Sequence, residues 1–108
     1  MQTAKVIWLV GTKCPPGKEK EFNEWYDKIH VPNVLKTPGI VGATRYERIE
    51  EDDKFPTFLA IYEFEDEAAL ERLARNMANE PMVKDGQENM PKFGAEAPFL
   101  VHYRRIGP

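Results

Sequence analysis

"EFNEWYDKIHVPNVLKTPGI", residues 21–40, carries an amphipathic helix into a Pro-Gly turn. At about 100° per residue, Phe22, Trp25, Tyr26 and Ile29 fall in one sector, while Glu19, Glu24 and Lys28 point elsewhere. His30, one of two histidines in the chain, takes the place beside that stripe. Proline at 32 disfavours a helical conformation at Val31, so the pattern predicts a kink or stop near His30. Pro32 then suits the first turn of a short second helix through Lys36. Pro38-Gly39 turns the chain into a strand over residues 40–50.

Upstream of this stretch, residues 4–12 alternate in two apolar sets, Val6, Trp8 and Val10 against Ile7 and Leu9. That is a strand buried on both sides, ended by Pro15-Pro16-Gly17. Downstream, the charged run Glu51-Asp52-Asp53-Lys54 marks a hairpin loop. Residues 57–65 form another two-faced strand, Phe58, Ala60, Tyr62 and Phe64 against Leu59 and Ile61. Asp66 is a good N-cap for a second helix with the stripe Leu70, Leu73, Ala74 and Met77. Residues 79–94, with Pro81, Gly86 and Pro91, read as irregular or as one short helical piece. A last strand covers 97–106.

The order βαββαβ predicts a ferredoxin-like α+β fold: a four-stranded antiparallel sheet with both helices on one face, in a single domain over residues 1–108. The first and third strands are central in that arrangement, which suits their two-faced pattern. Two helices cover only one side of the sheet. The apolar row on the other side needs a cover, and a second copy packed sheet to sheet supplies it, so the expected state is a homodimer.

Composition narrows the function. With 42% hydrophobic and 31% charged residues and a net charge of −3, the chain has no basic face and is not expected to bind nucleic acid. Its apolar runs are too short to cross a membrane, and no signal-peptide pattern is visible at the N-terminus. The single cysteine, Cys14, forms no internal disulfide and fits a reducing cytoplasm. Cys14, His30 and His102 have no metal-ligand spacing, and neither metal nor cofactor is expected. No phosphate loop, Ser-His-Asp order or deaminase signature is present.

The segment "FNEWYDKIHVPNVLKTPGIVGATRYE" resembles the EthD-like branch of the dimeric α+β barrel superfamily. The likeness lies in Trp25-Tyr26, His30-Val31-Pro32 and Pro38-Gly39, followed by the strand with Arg45-Tyr46. It is good over residues 4–65 and architectural beyond. The resemblance implies a sheet-to-sheet dimer and a ligand cleft between helices and sheet in each subunit. The wider superfamily, as the resemblance has it, includes cofactor-free cyclases, isomerases and quinol monooxygenases.

Within that frame His30 is the candidate general base. Asp27 and Tyr26, three and four residues back, can be its neighbours. A carboxylate at Asp27 and the negative end of the helix would both favour a charged imidazole, giving a pKa near neutrality. The plain alternative is a histidine that caps the helix. Tyr26 is the expected hydrogen-bond donor of the site. Trp25, Trp8, Tyr62, Asn33 and Arg45 are candidate ligand contacts: the aromatics as walls, Asn33 in the kink, and Arg45 for an anionic group. His102 reads as structural. Three functions share this cleft: acid/base isomerisation or cyclisation of a small apolar or aromatic molecule, cofactor-free oxidation of a quinol-like one, and ligand carriage by an accessory protein.

Overall fold

Antiparallel pairing joins four strands in the order β2–β3–β1–β4, where β1 is Val6–Lys13, β2 Ile40–Glu47, β3 Phe58–Phe64 and β4 Glu96–Arg104. The computed structural model describes residues 5–108, so the expected strand start at Ala4 lies outside the described residues. β1 and β3 are central, as their sequences require. Val6 stands opposite Phe64, Trp8 opposite Tyr62 and Val10 opposite Ala60. Side chains alternate across a strand, so these six share one face, and all are buried under helices. Ile7, Leu9, Leu59 and Ile61 point to the opposite face and are half-buried. Val101 and Tyr103 of β4 lie on that face too and are 37% and 57% exposed.

The first helical stretch is continuous but not uniform. Helix α1 (Glu19–Trp25) passes into a π-helical turn, Tyr26–His30, and then into α2 (Val31–Leu35). Helix α3 (Glu67–Asn76) starts at Asp66, whose carboxylate accepts the Ala69 N–H at 2.9 Å. This is the expected N-cap, satisfying a backbone donor that the first turn leaves free. The buried side chains of α3 are Ala69 and Leu73; Leu70 is half-buried, while Ala74 and Met77 are exposed. Its apolar stripe is therefore set slightly earlier than the sequence pattern suggests.

The clearest departure lies in residues 79–94. The stretch holds a 13-residue helix, α4 (Pro81–Phe93), and no long irregular segment. Pro81 suits the first turn, where its missing N–H has no partner to lose. Gly94 closes the other end in the left-handed region (φ 64°), its N–H donating to the carbonyls of the last turn. Helix α4 packs on α1, the π turn and α2, so the helical layer has a third main helix where the sequence suggests two. Among the described residues no helix is long and apolar enough to cross a membrane.

Candidate functional site

The π turn is where the site begins. Val31 N–H donates to the Tyr26 carbonyl, five residues back, instead of the usual four. Pro32 gives the reason: it has no N–H to offer, and its ring crowds the carbonyl four residues before it. The helix widens by one residue instead of stopping. In a regular α-helix residues five apart stand roughly 140° from each other. The wider turn brings Trp25 and His30 into register, and their rings stack at 4.8 Å with an interplanar angle of 29°. Tyr26 meets the same imidazole edge-on at 4.9 Å. Ile29, expected in the buried stripe, is turned out and 50% exposed. The histidine has taken the isoleucine's place.

Helix continues to Leu35, so His30 does not sit at a negative helix end. Its carboxylate partner is also not the expected one. His30 Nδ1 lies 2.8 Å from Asp85 Oδ1 of α4, and Asn33 Nδ2 donates to Asp85 Oδ2 at 2.7 Å. The His30 and Asp85 side chains are only 16% and 11% exposed. Asn89 donates to the Asp85 carbonyl at 2.8 Å, fixing the backbone that carries the carboxylate. Asp27 points away: it is 61% exposed and pairs with Arg45 at 2.8 Å. The assignment of Asp27 as the orienting acid is corrected to Asp85.

Burial pulls the His30 imidazole below its ordinary pKa. The hydrogen bond and charge of Asp85 oppose this, while the Arg45 charge adds to it. The neutral imidazole is thus favoured over the imidazolium more than in a free histidine. An acceptor-only carboxylate facing Nδ1 favours the tautomer with the proton on Nδ1, held in a hydrogen bond to Asp85 Oδ1. Nε2 keeps its lone pair.

Above His30 stands a pair of phenols. The Tyr26 and Tyr62 hydroxyls are 2.8 Å apart and buried, tying the π turn to β3. Burial raises both pKa values, so both remain protonated. One O–H serves the pair, and the other is left as a donor. Trp8 continues the patch, 5.3 Å from the Tyr62 ring and stacked on His102 at 5.6 Å. The indole N–H groups of Trp8 and Trp25 are buried without an acceptor among the described residues. Trp25, Tyr26, His30, Tyr62 and Trp8 therefore form one contiguous group, and Asn33 joins it through Asp85. Arg45 flanks it, its guanidinium 4.1 Å from the Tyr26 ring centroid. Outside Arg45 lies an open groove of ≈ 320 Å³ lined by Asn23, Asp27, Arg45, Tyr46, Glu47 and Phe58.

Asp85 does not stand out in the sequence, because its stretch reads as irregular. The signal for it was Pro81 just inside and Gly94 just past a 13-residue span. That asymmetry marks a helix, and a lone Asp on its buried face needs a partner.

Sheet order and helical layer define a ferredoxin-like α+β domain, a fold found in dimeric α+β barrel proteins. The family model described as a domain of unknown function, DUF4286, matches residues 5–96, and the chain belongs to that family. Solved structures share its fold. An EthD family protein from Bacillus halodurans is 18% identical, with a TM-score of 0.67 over 94% of this chain and 99% of its own. HapK from Hahella chejuensis is 10% identical, with a TM-score of 0.71 over 95% and 94%. The heme-degrader MhuD from Mycobacterium tuberculosis, solved with two hemes in its active site, is 16% identical, with a TM-score of 0.65 over 95% and 97%. The EthD-like resemblance thus holds at the level of fold. No curated protein matches the chain in sequence.

Proposed function

We propose that this protein binds a small, largely apolar or aromatic molecule between helices and sheet and moves a proton on it without a cofactor. The observation that carries the proposal is the buried His30–Asp85 contact at 2.8 Å, with Asn33 holding the second carboxylate oxygen. It fixes the tautomer in which Nε2 is the base. A substrate proton passes to Nε2, and Asp85 stabilises the imidazolium that results. The electron pair left on the substrate delocalises onto a carbonyl or phenolic oxygen. The spare O–H of the Tyr26–Tyr62 pair is the donor suited to that oxygen. MhuD, which shares the fold, holds two hemes in its active site, and this supports a small-molecule ligand for the present chain.

The working unit we propose is a cytoplasmic homodimer. The half-buried Ile7, Leu9, Leu59 and Ile61, with Val101 and Tyr103 beside them, support pairing through the face away from the helices.

A panel of phenols, hydroxyquinones and 1,3-dicarbonyl compounds tests the site by NMR. Binding should shift the resonances of Trp25, Tyr26 and His30, and the response should vanish in His30→Ala. For a 1,3-dicarbonyl ligand, exchange of the acidic C–H for deuterium should be faster with wild type than with the variant. Shifts confined to residues away from this group, or equal exchange by His30→Ala, would remove His30 from the mechanism.

A further inference from the structure

We propose that Arg45 is a positioning residue for the His30 site: it fastens the start of the π turn to the sheet and so sets where Tyr26 and His30 stand. The proposal rests on reading His30 as the working base, but its test does not need a ligand.

Arg45 lies on the helix-facing side of β2, opposite Ala60 of β3, and the small alanine leaves room for the guanidinium over the sheet. Nη1 donates to Asp27 Oδ1 and Nη2 to Asn23 Oδ1, each at 2.8 Å. Asn23 belongs to the last turn of α1 and Asp27 to the π turn. The fork therefore spans the junction at which the helix changes pitch. The cation rests on the Tyr26 ring at 4.1 Å, with Phe58 and Phe22 at 5.6 and 5.9 Å. The Arg45 side chain is only 15% exposed, and its Nε is buried.

These contacts change the role suggested by sequence, that of an anion-binding arginine. Both terminal nitrogens are engaged by protein oxygens, and the planar face is engaged by Tyr26. A π turn is rare and needs holding at both ends. Pro32 forces the widening at the C-terminal end, and Arg45 ties the N-terminal end to β2. Only a planar cation with two parallel donors can bridge Asn23 and Asp27 while lying on an aromatic ring; an ammonium is a single point.

The charge has a second effect on the same two groups. The charges around His30 are Asp85, which favours its protonation, and Arg45, which opposes it. Around Tyr26 stand Arg45, Asp85 and Asp27, and Arg45 alone of these favours the phenolate.

Arg45→Met keeps the aliphatic stem and removes the fork and charge. The expected result is a His30 C–H titration moved to higher pH, together with weaker cross-peaks between the Tyr26 and His30 rings. Circular dichroism should still report a folded protein. Arg45→Lys should retain most of the charge effect on His30 but still weaken the ring cross-peaks. Asp27→Asn, which leaves Arg45 in place but weakens one arm, should weaken them less than Arg45→Met. Wild-type cross-peaks and titration in Arg45→Met, whatever its thermal stability, would overturn the proposal. So would full rescue of the cross-peaks by lysine, since charge alone would then suffice. A ligand panel that fails while these shifts appear would count against the proposed function and not against the clamp.

Discussion

Asp85→Asn is the substitution on which the site's architecture bears most directly. In the native protein each carboxylate oxygen accepts one hydrogen bond, Oδ1 from His30 and Oδ2 from Asn33. Asparagine has a single acceptor oxygen, so one of the two donors loses its partner and faces an N–H₂ group. A hydrogen bond to a charged group contributes about 1.5–3 kcal/mol. Asp85 is too well buried for water to replace the missing acceptor. The expected destabilisation is about 2 kcal/mol, a large share of the roughly 5–15 kcal/mol that holds a small domain together. In a urea melt the midpoint should fall at unchanged slope, and the melting temperature should drop by roughly 8 °C.

The pH dependence has a defined sign. His30 titrates below its unfolded value of about 6.5, so the unfolded chain binds the extra proton first. The stability linked to His30 is present above that pH and is lost as pH falls through the folded pKa. Asp85 raises the folded pKa, so removing its charge lowers it further and widens the window. Asp85→Asn should therefore lose more stability than wild type between pH 7 and 5. The double variant with His30→Gln should lose that extra slope. An unchanged urea midpoint, or the same His30 titration with and without the carboxylate, would show that the contact does not form in solution.

Three further outcomes are expected. Pro32→Ala restores an N–H that can close an ordinary α-turn. It should change stability by about 1 kcal/mol or less while loosening the Trp25–His30 stack, seen as altered tryptophan fluorescence, and a loss of several kcal/mol would contradict the positioning role given to the proline. Tyr26→Phe and Tyr62→Phe should each cost about 1 kcal/mol in chemical denaturation, and the double variant should cost less than their sum, because a pair replaced together leaves no orphan. Strict additivity would mean that the hydroxyls do not meet. Light scattering at micromolar concentration should give twice the chain mass, and a uniform monomer would remove the sheet-to-sheet pairing from the account.

Where the sequence spoke through periodicity, the fold was legible. β1 and β3 alternate apolar sets on both faces, and both proved central; Asp66 proved the N-cap it resembles. The residues of the candidate site are legible as a group, because Trp25, Tyr26 and His30 share one short segment and Tyr62 and Trp8 stand on the central strands. What could not be read was how these residues face one another. A wheel drawn at α-helical pitch puts Ile29 inward and His30 at the edge, and one extra residue in the π turn reverses them. Asp27 looked like the partner because it is close in sequence. The true partner, Asp85, is 55 residues away on a helix whose apolar pattern is broken by Gly86 and Pro91. A strand arginine such as Arg45 shows its charge in the sequence and suggests a ligand, while the two protein oxygens that engage it stay hidden there.

Everything proposed for the site turns on His30 being held neutral with its proton on Nδ1, leaving Nε2 as the base. Long-range nitrogen–proton NMR spectra of the imidazole at pH 7.5 read the tautomer directly, and His30→Ala assigns the signal against His102. A protonated Nδ1 and an unprotonated Nε2 are expected for His30, with Nε2 changing when a ligand with an acidic proton is added. A proton resident on Nε2, or an imidazolium at that pH, would contradict this assignment.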